Sequence, residues 1–425
     1  MRTLLAAVVG GILAVVALVL YLNLRGEGEI HDVPPLVPPT GETVARGAYL
    51  VRAGNCMACH TERGGAVLAG GRAIETPFGT VYSSNITPHK ETGIGTWNAD
   101  HFWRALHNGR AKDGRLLYPA FPYPNYTLVT RADSDAIYAY LRSVPAVERP
   151  NAGHRLNWPY STQAALAVWR ALYFSPGRHD DDAAQSAQWN RGAYLVRGLG
   201  HCSACHTTRN ALGANSDVMD LSGGLIPMQN WYAPSLTSRS EAGLGDWEPP
   251  QIAKLLQSGV APRGSVLGPM AEVVLQSTQH LSPEDLRAMA VYLKALPQAP
   301  SPDSAPPAAR VSGAMAQRGA ALYSDYCARC HGNQGEGVPG AYPPLSSNRA
   351  INLGVTANLV QIVLNGGFPP ATQGNPRPVG MPPFATTLSD ADVAAVLSHI
   401  RNSWGNASGA VSELDVSRQR STAGP

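Results

Sequence analysis

The chain has 425 residues, 15% of them charged, and a formal net charge of +3. That balance, with no Lys/Arg-rich run, excludes an electrostatic nucleic-acid binder, and 44% hydrophobic residues exclude intrinsic disorder. With 43 glycines and 35 prolines the chain is rich in loops, so something other than a large aliphatic core must hold it together.

Thr3 to Leu24 is a nearly continuous apolar run, preceded by Arg2 and followed by Arg25. A helix of that length rises about 33 Å, enough to cross a bilayer core of about 30 Å. A cleaved signal peptide has an apolar stretch of only about 7–15 residues and then a small-residue cleavage site. Leu20-Tyr-Leu-Asn-Leu24 offers no such site. The reading is an uncleaved anchor over residues 1–24 in the inner membrane, with Arg2 on the cytoplasmic side and all later residues in the periplasm. Residues 25–41 follow as a linker, stiffened by prolines at 34, 35, 38 and 39.

Beyond the linker one plan recurs three times. Arg46-Gly-Ala-Tyr-Leu-Val-Arg52 returns as Arg191-Gly-Ala-Tyr-Leu-Val-Arg197, and Arg318-Gly-Ala-Ala-Leu-Tyr323 is a shorter echo. Each reads as a short helix that ends just before a cysteine pair. Asn85-Ile-Thr87 leads to Gly93-Ile-Gly95-Thr-Trp97, as Ser235-Leu-Thr237 leads to Gly243-Leu-Gly245-Asp-Trp247. Each repeat closes with a helix, at 132–143, 282–296 and 389–404. Ser282 and Ser389, each followed by acids, are good helix starts. Gly47, Gly192 and Gly319 are placed to let the first helix of each repeat approach its closing helix. Linkers are expected near Ser175 to Ala187 and from Pro297 to Ala309. The tail, 406–425, reads as disordered.

All six cysteines fall in three units of one form: Cys56-Met-Ala-Cys59-His60, Cys202-Ser-Ala-Cys205-His206 and Cys327-Ala-Arg-Cys330-His331. A redox dithiol needs a thioredoxin-like βαβ setting, which is missing here. Structural zinc needs four ligands, and each unit offers at most three. A disulfide across two residues would close almost no loop. Covalent c-type haem remains. Two thiols add to the vinyl groups of one porphyrin edge, and the adjacent His60, His206 or His331 comes under the iron as proximal ligand. Three covalent haem c groups would fill the cores that a loop-rich chain cannot fill with side chains. Pro234, and Pro343 or Pro344, stand where a backbone carbonyl could accept the imidazole Nδ1–H.

A methionine sulfur is the expected sixth ligand of an electron-transfer haem. Met381, in Gly380-Met-Pro-Pro-Phe384, and Met270, in Gly268-Pro-Met-Ala271, lie on loops that precede the closing helices of repeats three and two. Repeat one has Phe121 at the corresponding place, in Leu117-Tyr-Pro-Ala-Phe-Pro-Tyr-Pro124. Phenylalanine cannot bind iron. Of His89, His101 and His107, the last is the best substitute, because its turn leads into the ligand loop.

The sequence resembles the membrane-anchored tri-haem cytochrome c subunits of bacterial periplasmic alcohol, gluconate, fructose and aldehyde dehydrogenases. The resemblance covers residues 42 to about 405. It rests on Arg-Gly-x-Tyr-Leu before the first two cysteine pairs, Ser84-Asn-Ile-Thr-Pro88, Thr92-Gly-Ile-Gly95, Leu117-Tyr-Pro-Ala120, Pro122-Tyr-Pro124 and Met381-Pro-Pro-Phe384. It implies an all-α fold of three tandem class I cytochrome c-like domains, at 42–175, 186–298 and 312–405, after the transmembrane helix. It also implies an electron-transfer subunit with no catalytic residues for an organic substrate. Electrons would pass from a dehydrogenase subunit, with or without a small iron–sulfur subunit, through three haems to ubiquinone or a terminal oxidase. Phe121, with Trp189-Asn-Arg-Gly-Ala-Tyr194 and Gly268-Pro-Met270, is more similar to cytochromes paired with molybdenum hydroxylases than to those paired with quinoproteins or flavoproteins. The alternative from another class is a peroxidase-like enzyme that uses an open first haem.

Overall fold

A computed structural model describes residues 1–30, 40–215, 220–299 and 311–422. The four prolines of the first linker and most of the linker from Pro297 to Ala309 lie outside the described residues. The chain forms two compact units. The first comprises Met1–Ala183, Tyr194–Ala204 and Arg209–Val218, and the second Ala184–Ala193, Cys205–Thr208 and Met219–Pro425. They do not coincide with the three sequence repeats, because the segment leading into the second cysteine pair belongs with repeat one.

In the first unit, α1 is Arg2–Leu24, long and apolar enough to cross a membrane. Its end is fastened to repeat one. The Asn23 amide donates to Ala167 O at 2.9 Å, and Glu27 pairs with Arg110 at 2.5 Å. The described residues just past α1 are therefore held against repeat one. Next come α2 (Gly41–Ala53), α3 (Cys56–His60), α4 (Ala99–Asn108), α5 (Tyr123–Tyr126), α6 (Arg131–Ser143) and α7 (Gln163–Tyr173). A small antiparallel sheet joins β1 (Ala73–Thr76), β2 (Gly79–Tyr82) and β3 (Arg155–Leu156), with Ile74 opposite Val81. The all-α expectation omits it. Strands this short leave no alternation of hydrophobic residues to read.

The chain then forms α8 (Ala187–Tyr194) and continues as a π-helical turn over Leu195–Leu199. The second unit holds α9 (Pro249–Ser258), α10 (Gly268–Gln276), α11 (Pro283–Lys294), α12 (Gly313–Tyr326), α13 (Ala328–His331), α14 (Arg349–Asn352), α15 (Ala357–Asn365), α16 (Asp390–Ile400) and α17 (Glu413–Thr422). Two two-stranded sheets accompany them, at Gly224–Ile226 with Trp231–Ala233 and at Val260–Ala261 with Gly264–Ser265. Helix α17 corrects the expectation of a disordered tail. Val411 and Val416 are fully buried in the core of repeat three. Arg420 donates to Asp390 Oδ1 at 2.7 Å and to Leu388 O at 2.9 Å.

The same helix crossing occurs in each repeat. A Cβ on Gly47 would stand 1.9 Å from Ala136 O of α6. On Gly192 it would stand 2.1 Å from Ala288 O of α11, and on Gly319 2.3 Å from Ala395 O of α16. Only a hydrogen in that place lets the backbones meet. One turn away each crossing is pinned by charge. The Nε of Arg46, Arg191 and Arg318 donates to Oδ1 of Asp133, Asp285 and Asp392 at 2.9, 2.8 and 2.9 Å. Each aspartate N–H is in turn capped by the hydroxyl that starts its helix, from Thr130, Ser282 and Ser389. One aspartate, through its backbone N–H and its carboxylate, thus joins the helix start to the helix crossing.

Candidate functional site

The first helix of each repeat delivers the chain to a cysteine pair in a tight turn. Asn55 (φ 51°) and His201 (φ 39°) take left-handed conformations that reverse the chain before Cys56 and Cys202. Cys56–His60 is one short helix, Cys202–Ala204 a 3-10 turn, and Cys327 caps the short helix Ala328–His331. None of the six cysteines is joined to another in a disulfide. Burial, and then the neighbouring cysteine, pushes Cys56 up to about 12 and Cys327 up to about 11.

The three histidines share one environment. Nδ1 of His60 lies 2.7 Å from Ser84 O, that of His206 2.7 Å from Pro234 O, and that of His331 3.1 Å from Pro343 O. A carbonyl oxygen can only accept, so the proton sits on Nδ1 and the Nε2 lone pair is left for a ligand. Burial holds each imidazole below its ordinary pKa, against the opposing effect of the carbonyl. The rings are therefore neutral at pH 7. The backbone is fixed too. The N–H groups of Gly70, Gly223 and Gly337 donate to O of His60, His206 and His331, each at 2.8 Å. Arg72 and Arg209 donate to Ala58 O and Ala204 O, both at 2.5 Å, bracing the turn inside the first and second pairs.

The expected carbonyls of Pro234 and Pro343 are the ones used. Ser84 was not anticipated. Its signal lies in the repeats themselves, since Ser84-Asn-Ile-Thr87 occupies the place of Pro234-Ser-Leu-Thr237. Two thiols and a neutral, oriented imidazole at each unit fit a covalently attached haem c.

The sixth-ligand candidates are placed unevenly. Met381 exchanges both backbone hydrogen bonds with Gly367, at 3.0 and 2.8 Å, and packs against the same core as Cys327, Ala328 and Phe384. Met270 is half-buried in the first turn of α10, not on a loop as expected. Gly268-Pro269 looks like a loop breaker, but proline is favoured in a first helical turn. Phe121 packs on Tyr126, with ring centroids 5.3 Å apart. Tyr126 stands within electrostatic reach of Cys56 and Cys59, and its hydroxyl donates to Gly54 O at 2.9 Å. Phe121 is thus on the side of the first cysteine pair. His107 stacks on Trp103 at 4.5 Å, with its Nδ1 3.5 Å from the Thr127 hydroxyl. Met289 is buried within α11, and Met228 is exposed.

Comparison with known proteins gives the family. The profile of the cytochrome c family matches residues 44–145, and that of cytochrome c oxidase, cbb3-type, subunit III matches residues 314–400. The cytochrome c subunit of alcohol dehydrogenase (quinone) from Gluconobacter oxydans is 40% identical over 399 residues, covering 90% of this chain and 83% of that protein. The gluconate 2-dehydrogenase cytochrome c subunit of Pantoea cypripedii is 39% identical over 402 residues, covering 89% of each. A nicotinate dehydrogenase subunit of Pseudomonas putida is 38% identical over 384 residues, covering 87% of this chain and 31% of that much longer protein. With its neutral histidines beside paired thiols, the chain belongs to the family of dehydrogenase cytochrome c subunits, which bind haem c covalently and transfer electrons without being the catalytic subunit.

Proposed function

We propose that this chain carries three covalent haem c groups in three tandem cytochrome c-like domains, one on each Cys-x-x-Cys-His unit. Cys56 and Cys59, Cys202 and Cys205, and Cys327 and Cys330 would form the thioethers. His60, His206 and His331 would be the proximal ligands, and Met270 and Met381 would supply sulfur ligands to the second and third haems. When bound, haem supplies one-electron iron chemistry. The chain's residues would hold it, keep the proximal imidazole neutral by burying it, and orient its ring through a backbone carbonyl. The observation that carries this reading is the same imidazole-to-carbonyl bond recurring at all three units.

In this reading α1 anchors the chain in the inner membrane and the haem domains lie in the periplasm. The partner is a dehydrogenase subunit, with a molybdenum hydroxylase favoured by Phe121 and the Trp189-Asn-Arg-Gly-Ala-Tyr194 run. A small iron–sulfur subunit can complete the complex. Ubiquinone or a terminal oxidase takes the electrons.

Pyridine haemochrome against protein mass tests the haem number. Three haems per chain are expected, falling to two in Cys327→Ala. Purified alone, the protein should oxidise no alcohol or aldehyde. With its partner present, substrate should reduce every haem. Turnover by the isolated chain would overturn the carrier reading.

A further inference from the structure

Helix α7 is inside out. Its one charged residue, Arg170, is 2% exposed, whereas Leu172 is 64% exposed. Ala164, Val168 and Leu172 are all exposed and recur every four residues, so they share one helix face. A helix on the surface of a water-soluble domain has the opposite arrangement. Trp158, at 82% exposed, and Tyr160 precede the helix, and exposed Tyr173 ends it.

Arg170 explains the orientation. Its Nε donates to Asn23 Oδ1 at 2.9 Å, and its guanidinium lies over the rings of Tyr123 and Phe174 at 5.0 and 4.8 Å. Asn23 is in the last turn of α1 and donates in return to Ala167 O of α7. Arg25, just past α1, donates to Ser175 Oγ at 2.6 Å, just past α7. The polar side of α7 is thus spent on the end of α1. Its apolar side is exposed, as are Leu20, Tyr21 and Leu24 at the end of α1, on which α7 packs.

We propose that the outer face of α7, together with Trp158, rests in the boundary between headgroups and acyl chains of the bilayer that α1 crosses. The proposal builds on the reading of α1 as a membrane anchor. The chain then holds the membrane through one spanning helix and one helix lying in the interface. A bilayer is favoured over a protein partner because α7 packs on the end of the spanning helix α1, its outer face carries no charge, and it is flanked by Trp and Tyr, the residues enriched at that depth. A second in-plane contact would prevent repeat one from rotating about its tether. The first cysteine pair would keep a fixed orientation to the membrane surface.

The test uses the full-length haem-loaded protein in vesicles of phosphatidylethanolamine and phosphatidylglycerol. The vesicles are doped with a phosphatidylcholine bearing a photoactivatable diazirine on its acyl chain. Lipid adducts are mapped by mass spectrometry. Adducts are expected both on α1 and on the peptide spanning Gln163–Tyr173. Val168→Ser/Leu172→Ser should lose the α7 adducts, keep those on α1 and leave the haem spectrum unchanged. Adducts on α1 alone would overturn the α7 proposal and leave the anchor standing. Absence of adducts on α1 would overturn the anchor. Cross-links from α7 to a partner subunit or a second copy, with no lipid adduct on it, would assign the face to protein and also overturn the proposal.

Discussion

Asn125 of repeat one and Ser203, which lies between the second pair of cysteines, are joined by a buried hydrogen bond of 2.8 Å from the Asn125 amide to the Ser203 hydroxyl. The same amide donates to Arg197 O at 2.8 Å. Nearby, the ring of Tyr126 meets that of His201 edge-on, with centroids 5.5 Å apart. A Cβ on Gly54 would lie 3.4 Å from Cys56 Sγ and 3.6 Å from Leu199. The approach to the second cysteine pair is therefore built against the first.

Asn125→Ala removes both bonds and leaves the Ser203 hydroxyl buried. The loss expected is about 1–3 kcal/mol of stability. Denaturant unfolding followed by haem absorbance should show it. The second haem should be perturbed although the substitution lies in repeat one. A loss confined to the first haem would mean that the contact does not couple Asn125 to the second cysteine pair.

The helix crossings make a second prediction. Gly192→Ala puts a methyl group 2.1 Å from Ala288 O, a backbone atom that cannot move away alone. The cost should exceed the usual overpacking penalty of about 1–3 kcal/mol. The variant should mature with one haem fewer, since the crossing positions the chain before Cys202. Gly28→Ala has open space around its Cβ and is the neutral control. Haem content per chain, measured on both, separates a crossing effect from a general effect of losing glycine.

Much of the site was legible because its chemistry is local. Two thiols and an imidazole within five residues declare haem attachment without any knowledge of the fold. The glycine crossings and the Pro234 and Pro343 carbonyls were legible through repetition. The Arg46–Asp133, Arg191–Asp285 and Arg318–Asp392 pairs were not, although every partner sits in a repeated segment, because a pairing across the fold leaves no local pattern. For the same reason Asn125 and Ser203 gave no sign of each other. Tail helix α17 was missed because two valines, Val411 and Val416, are too few to register among serine, arginine and acid. The π-turn at Leu195–Leu199 shows a different limit. Arg191-Gly-Ala-Tyr-Leu-Val-Arg197 has the same residues as Arg46–Arg52, yet its second half unwinds to meet repeat one.

Asp392 gives a pH-dependent prediction. The Ser389 hydroxyl and then Arg318 hold its carboxyl below the ordinary carboxylate pKa of 3.8. A carboxylate whose folded pKa is depressed adds stability above its unfolded pKa and loses it as pH falls through the folded value. Asp392→Asn should therefore be less stable than the unaltered protein at pH 7. The difference should shrink once pH falls below about 4 and vanish below the folded pKa. Unfolding curves at a series of pH values would show it. A difference that persists undiminished at the acid end would assign the effect to packing and not to charge.

The last prediction tests the proposal that Phe121 stands at the first haem where the other repeats have a sulfur ligand. If methionine serves only the second and third haems, the weak sulfur-to-iron charge-transfer band should integrate to two haems per chain. Methionine favours reduced iron, so the first haem should have the lowest potential of the three. Phe121 packs on Tyr126, whose hydroxyl is bonded to the backbone just before the first cysteine pair. A methionine there starts from the correct side of the site. Phe121→Met should raise the first potential and bring the band to three haems. His107 is engaged by Trp103 and Thr127, so His107→Ala should leave the spin state unchanged. A switch to high spin in that variant would put His107 on the iron. Three bands in the unaltered protein would mean that another methionine reaches the first haem, and the assignment of Phe121 to the ligand position would fall.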